Sequence, residues 1–477
     1  MAIRIVERDD GGRLHYIDII DDEVRVSLLL LLSGLSPVKI TVKADSGGSK
    51  PLPFAAILSK VFLPAGYPDS VTPVVCRYQV FNALQAFCSS LASLLSSRAV
   101  LEGFGVGDPS ASATNALLLS VVLDFFSRMT TIVSAYFIGT SLVPESKTYR
   151  FLADILNDGA IVLETLIPIF VAASKHGLPS LRVPALCLSA SLRSLCGVAA
   201  GGSKAAISLH FATPVSGKGD LGDLNAKDAS KETVLALMGM LIGTLIVPHI
   251  TTPTSTYTML FTLVSLHLAL NYYGVRGLAL RTLNRQRASF LWSTFRQTKN
   301  VPSPTEVSKN EDIFANSSIL KDVTTERVLG SCTFASNGFG HILATGHGIP
   351  PFDLFKTEQY VLWFDRTCTS NSGKELRGSV LHMYIVLKKG HGALDHLKAW
   401  VHAYEVGKLL AEYPETTDPT TALCVSYASV VEHLPLFLTE LAEKTWIVEE
   451  GGLVTTLPRK LLVEADVTFD GERRKDQ

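Results

Sequence analysis

The chain has 477 residues, of which 47% are hydrophobic and only 18% charged, with a mean hydropathy of +0.28. Ordinary soluble domains carry about 25% charged residues, so the deficit points to a membrane or to a large buried helical core. A net charge of −1 excludes a bulk electrostatic pull toward nucleic acid.

The length allows two or three domains. Seven cysteines (Cys76, Cys88, Cys187, Cys196, Cys332, Cys368, Cys424) are scattered without a CxxC pair. That spread argues against a disulfide framework or a zinc site and for small buried hydrophobes. The opening MAIRIVERDD is charged and acidic. It is unlike a signal or transit peptide, so insertion into a membrane is expected to rely on an internal segment.

Residues 3–20 alternate apolar and polar around Asp9, Asp10, Gly11 and Gly12, which predicts a β-hairpin. A short apolar run at 28–32 cannot span a bilayer. A Gly/Ser/Pro linker reads at 43–53. Residues 78–97 carry helical periodicity with Gln79, Asn82 and Gln85 among the apolar positions, and so predict a buried or interfacial helix. GFGVGD at 103–108 is a glycine-rich turn. Residues 111–143 are apolar and helical, interrupted by Asp124 and Arg128 at i and i+4. Such a pair is expected to face the bundle interior, either as one internal ion pair or as part of a transport path.

An amphipathic charged helix follows at 147–158, with Arg150, Asp154 and Asp158 at successive four-residue steps. Residues 159–174 are apolar apart from Glu164. The segment 181–210 contains Gly197 and Gly201, and a later one Gly239 and Gly243; both are GxxxG spacings that let two helices approach closely.

The stretch 223–287 organises the rest. Residues 233–275 contain no Asp, Glu, Lys or Arg. A spanning helix needs about 20 apolar residues, so two fit, at 233–247 and 257–275, with Pro248 and Pro253 at the turn. Lys227 and Lys231 precede this hairpin and Arg276, Arg281, Arg285 and Arg287 follow it. By the positive-inside rule both ends lie in the cytosol or its equivalent. Ser303, Pro304 and Glu306 fit a capping box. Strands are expected at 360–365 and 380–387, helices at 392–410 and 421–446 (bent or split by Pro435), and a strand pair at 453–467.

Several blocks are specific enough to compare: FLPAGYPDSV, QAFCSS, GFGVGD, KTYRFLADILND, GGSKAAISLHFA, DLNAKDASKETV and HLALNYYGVRGLALRTLNRQR. In order and content they resemble the root UVB-sensitive family, whose shared region is the vitamin B6 photo-protection and homoeostasis domain. The resemblance is strong over 62–295 and looser beyond. Leu123-Asp124-Phe125 and Lys231 depart from the family's usual pattern. Membership implies a membrane-associated protein linked to UVB responses, auxin transport and seedling development in plants, and to vitamin B6 homoeostasis. It supplies no agreed catalytic residues and no known cofactor.

Gly201-Gly202-Ser203-Lys204 lacks Walker spacing, and Gly103, Gly105 and Gly107 lack the dinucleotide pattern. Asp223, Asn225 and Asp228 precede an apolar helix and read either as its cap or as a polar gate. Arg193, Lys204 and Lys227 are three cations with few acids nearby in sequence, and so form a candidate site for an anionic small molecule, with Asp223, Asn225 and Asp228 beside them. His341, His347, His391, His396 and His402 show no metal-ligand spacing and read as solvated or core histidines. Neither a metal site nor catalytic residues are expected.

The predicted fold is mainly α, a multi-helix membrane-associated domain followed by a small α+β C-terminal domain. Its segments are 1–50 (β-hairpin and linker), 51–296 (helical membrane-associated domain), 297–325 (linker with a short helix) and 326–477 (α+β domain). The expected function is a non-enzymatic transport or transport-regulating scaffold role in an intracellular membrane. Its partners would be lipid, a second copy or paralogue, and an anionic small molecule, with no nucleic acid. The alternative is a binding protein or enzyme for a phosphorylated cofactor such as pyridoxal phosphate.

Overall fold

The alternating N-terminal residues build more than one hairpin. In the computed structural model of the chain, strands β1 (Ala2–Arg8), β2 (Leu14–Ile20), β3 (Glu23–Leu30) and β4 (Val38–Lys43) form an antiparallel sheet in sequential order. Ile5 pairs with Ile17 and Val6 with Tyr16, which leaves the Asp/Gly run between the two strands. The structure describes the backbone of these strands and most of residues 62–455. The longest stretches outside it are 31–37, 44–61, 336–349, 368–379 and 456–477. The linker read at 43–53 apart from Lys43, His341, His347 and nearly all of the strand pair read at 453–467 therefore lie outside the described residues.

The chain divides into two compact units, Met1–Leu142 with Ser146–Leu278, and Val143–Glu145 with Ala279–Gln477. The first holds α1 (Val75–Gly103), α2 (Ala113–Ile138), α3 (Ser146–Thr165), α4 (Ile167–Lys175), α5 (Arg182–Ala212), α6 (Leu221–Ile246) and α7 (Pro253–Arg276). Local chemistry fixes their starts. The side chains of Ser112, Asp220 and Thr252 each accept a hydrogen bond from the first-turn backbone of α2, α6 and α7, and Pro253 occupies the first turn of α7.

Helix α1 is the hub, packing against α3, α6 and α7, while α5 packs against α2 and α3. Leu91, Ala92 and Leu95 of α1 meet Ile161 of α3 and Leu260 and Leu263 of α7. The break between α6 and α7 falls at the 3-10 turn Val247–His249 and Pro253, where the prolines predict it. One reading needs correction. The segment opening at Asp223 is already helical, because Asp220 is the cap, so Asp223, Asn225 and Asp228 lie within α6. Both helices of the predicted pair, α6 and α7, lean on α1.

The polarity of this unit is inverted. Leu117, Val121, Phe125, Ile132 and Phe137 of α2 and Leu237, Leu241 and Leu245 of α6 are exposed, whereas Arg150, Asp154, Asp158, Glu164, His267 and Asn271 are buried. Among the described residues seven helices are long and apolar enough to cross a membrane, six of them in this unit.

The second unit holds α8 (Arg285–Thr298), α9 (Pro304–Asn310), β5 (Ile319–Lys321), β6 (Val328–Phe334), β7 (Tyr360–Thr367), β8 (Val380–Leu387), α10 (Ala393–Glu412) and α11 (Pro419–Glu443). Its sheet runs β5-β6-β8-β7, with β6 and β8 parallel and the outer pairs antiparallel. The side chain and backbone of Ser303 exchange hydrogen bonds with Glu306, the capping box the sequence predicts. Pro435 sits inside a continuous α11. Trp292, Phe295 and Phe437 pack ring on ring, and Phe334 stacks on Trp400.

Two arginines counted as membrane-flanking charge belong to this core. Arg285 donates to the carbonyl of Leu453 at 2.7 Å and lies over the rings of Phe334 and Trp400. Arg287, fully buried, pairs with Glu311 at 2.7 Å. The positive-inside argument therefore loses two of its four arginines.

Candidate functional site

The i, i+4 spacing of Arg150, Asp154 and Asp158 places all three on one face of α3, and that face is turned inward. Arg150 Nη1 donates to Asp154 Oδ1 at 3.0 Å, its Nη2 to Asn82 Oδ1 at 3.0 Å, and its Nε to Tyr78 Oη at 3.3 Å. From α7, Asn271 donates to Asp154 Oδ2 at 2.5 Å, and His267 Nδ1 donates to Asp158 at 2.7 Å. The other ring nitrogen of His267 lies 3.8 Å from Asp154, so one imidazole sits between two carboxylates.

The line continues into α6 and α5. Asn82 Nδ2 donates to Glu232 Oε1 at 2.6 Å, and Lys204 Nζ reaches both Glu232 oxygens at 2.8 Å and Asp228 at 3.3 Å. It ends at a small cleft lined by Tyr78, Gln79, Lys204, Ser208, Phe211 and Asp228 among others. A side branch joins α5 to α3. Arg193 forks onto both oxygens of Glu164 at 2.6 and 2.7 Å, and Ser189 and Ser96 donate to the same carboxylate. Buried polar groups are stable only when partnered. Five helices here supply the partners from positions more than 100 residues apart, such as Asp158 and His267.

The predicted site residues separate on this frame. Lys204 and Asp228 share the pocket. Arg193 lies on the same helix as Lys204 but roughly 16 Å along its axis and is held by Glu164. Lys227 stands 4.0 Å from Asp223, whose carboxylate also accepts from the backbone of Ala65 at 2.7 Å. Asn225 is exposed. Each of the three cations thus has an acid beside it, which sequence distance concealed for Arg193 and Lys204. Glu164 is buried. Asp124 and Arg128 do pair, at 3.0 Å, but their side chains are 63% and 76% exposed, so they face outward rather than into the bundle. Among the described residues no three His, Cys, Asp or Glu are grouped to hold a metal ion.

Sequence reading missed Tyr78, Asn82, His267 and Asn271 as members of a site. The available signals were Asn82 among the apolar positions of α1, and a histidine and an asparagine a helical turn apart in α7.

The vitamin B6 photo-protection and homoeostasis domain matches residues 49–299. RUS family member 1 of Dictyostelium discoideum is 37% identical over 277 residues, covering 57% of this chain and 49% of that one. Protein root UVB sensitive 3 of Arabidopsis thaliana is 33% identical over 255 residues, covering 53% and 55%. Protein root UVB sensitive 2, chloroplastic, of the same plant is 27% identical over 268 residues, covering 56% and 58%. The chain spans about half the length of these curated relatives. No solved structure matches. With the domain running through just over half of its residues, the chain belongs to the vitamin B6 photo-protection and homoeostasis family, to which the root UVB-sensitive proteins give their name.

Proposed function

We propose that the first unit is embedded in an intracellular membrane and that its buried polar line carries or gates a small polar solute, without chemical conversion. The inverted polarity carries this reading. Large apolar side chains such as Leu117, Ile132, Leu241 and Leu245 face outward, while Arg150, Asp154, Asp158 and His267 are enclosed. Water rewards the opposite arrangement, whereas lipid rewards this one. Ionisable groups inside apolar helices are costly and rare, and a functional path is the default hypothesis for them. The vitamin B6 and UVB names of the family make B6 vitamers the first solutes to try.

Carbonate extraction of native membranes tests embedding, and flux of a B6-vitamer panel into proteoliposomes tests transport. Release into the carbonate supernatant would end the first claim. Retention in the membrane, with fluxes equal to empty liposomes for every solute in a broad panel of polar metabolites, would end the second.

One observation favours a second reading, a binding protein for a phosphorylated aldehyde such as pyridoxal phosphate: Lys204 lines the pocket. An aldehyde would have to displace Glu232 and Asp228 from its amine. Borohydride trapping with pyridoxal phosphate, followed by peptide mapping, decides whether Lys204 is modified.

A further inference from the structure

Helix α2 stands apart from the other long helices of its unit. It contributes only Leu119 and Ser134 to the buried set, and packs along one side against α5, where Ser194 bonds to Thr131 and to the carbonyl of Ser127. The opposite side carries Leu117, Val121, Phe125 and Ile132, which are 58–65% exposed. Arg128 lies within that apolar stripe and Asp124 at its edge, the two paired only with each other among the described residues. They also lie in the middle of the helix, the pair's midpoint about 18–20 Å from either end. For a helix crossing a bilayer this is the depth at which a lipid-facing ion pair is least tolerable.

We infer that this face of α2 is covered by the same face of a second copy of the chain. The argument is charge complementarity. Copies inserted in the same direction are related by a two-fold axis along the bilayer normal, which sets Asp124 of one copy about 6 Å, one helical turn, from the level of Arg128 of the other. An arginine side chain spans that offset, so Asp124 of each copy bonds Arg128 of the other, and the isolated pair becomes a four-charge cluster shielded by Leu117, Val121, Phe125 and Ile132. A patch carrying one sign of charge could not pair with itself in this way. The inference needs insertion in a membrane but not transport.

The test uses the full chain in lipid vesicles, with energy transfer between donor- and acceptor-labelled copies followed as lipid is added. D124R alone, and R128D alone, set like charges across the axis and are expected to weaken association at least 10-fold. The double swap D124R/R128D restores opposite charges and is expected to restore association. D124L/R128L removes the charges without adding repulsion, and so keeps the test meaningful if a single reversal prevents folding; it is expected to weaken association as well. A cysteine at V121C is expected to cross-link between copies, whereas one at L241C on α6 is not. The inference is overturned if wild type is monomeric at every dilution, if the double swap stays as weak as the single reversals, if D124L/R128L associates as wild type does, or if V121C cross-links only to a co-expressed relative. Reconstitution reports insertion separately from association, so loss of the membrane reading and loss of this one are distinguishable.

Discussion

Arg150 shows how much one side chain holds together. Its guanidinium binds Asp154, Asn82 and Tyr78 at once, joining α3 to α1 and, through Asp154, to Asn271 of α7. Removing one member of a buried pair leaves the other without its counter-ion, at a cost of up to roughly 3–5 kcal/mol. Arg150→Met is therefore expected to lower the melting temperature in detergent sharply, and Arg150→Met with Asp154→Leu to recover part of the loss. A double variant no more stable than the single would show that the pair is not the source of the effect. A second residue-scale effect belongs to His402, which is fully buried, with Tyr360 Oη at 3.0 Å on one side and the carbonyl of Leu423 at 3.2 Å on the other. Burial, the largest cause, pushes its pKa down to about 4. Because the unfolded histidine titrates near 6.5, the unfolded chain takes up its proton first as pH falls. The stability from neutral His402 is complete above about pH 6.5 and is lost progressively down to about pH 4, by roughly 3 kcal/mol at most. Melting curves between pH 7.5 and 4.5 should show the drop, and His402→Gln should flatten it. At this scale the sequence revealed the α3 spacing but not its partners, since His267 and Asn271 come from a helix more than 100 residues away.

At the scale of elements, the two GxxxG motifs look alike on paper and differ in the fold. A Cβ on Gly239 would lie 3.0 Å from the carbonyl oxygen of Phe87, and one on Gly243 2.6 Å from a methyl of Leu94. Both glycines therefore let α6 press onto α1. A Cβ on Gly197 or Gly201 would meet nothing within 4 Å. Backbone cannot yield as a leucine methyl can, so Gly239→Ala should cost about 1–3 kcal/mol and Gly243→Ala less. Gly197→Ala should instead be neutral or add up to about 1 kcal/mol through helix propensity. Thermal melts of the three variants in one detergent give the ranking, and equal losses at Gly197 and Gly239 would refute it. The helices and the proline break were legible from periodicity, charge absence and caps, as was the Ser303–Glu306 capping box. Which glycine meets a neighbour was not, because that depends on long-range packing that spacing does not encode.

At the scale of the whole molecule, charge counts along the sequence foresaw an apolar helical unit followed by an α+β unit, yet they misassigned individual charges. Arg285 and Arg287 were counted as membrane-flanking but are buried in the second unit. Asp124 and Arg128 were expected inside but lie outside. Charge alone does not say whether a side chain meets protein, water or lipid, and only the assembled helices separate the three. That separation can be tested directly on α6, where Leu241 is 67% exposed and Leu245 72%, while Lys227, on the same helix, stands beside Asp223. From Lys227 to Leu241 the helix climbs about 21 Å, which would carry it from the polar surface well into a hydrocarbon core about 30 Å thick. A cysteine at L241C or L245C should therefore resist a charged maleimide in sealed vesicles and in vesicles made permeable to the reagent, yet react once the protein is unfolded in detergent. A cysteine at K227C should react without unfolding. If L241C reacted as fast as K227C in intact vesicles, the outward apolar surface would be facing water, and its exposure would have to be explained by a protein partner along its whole length instead of by lipid.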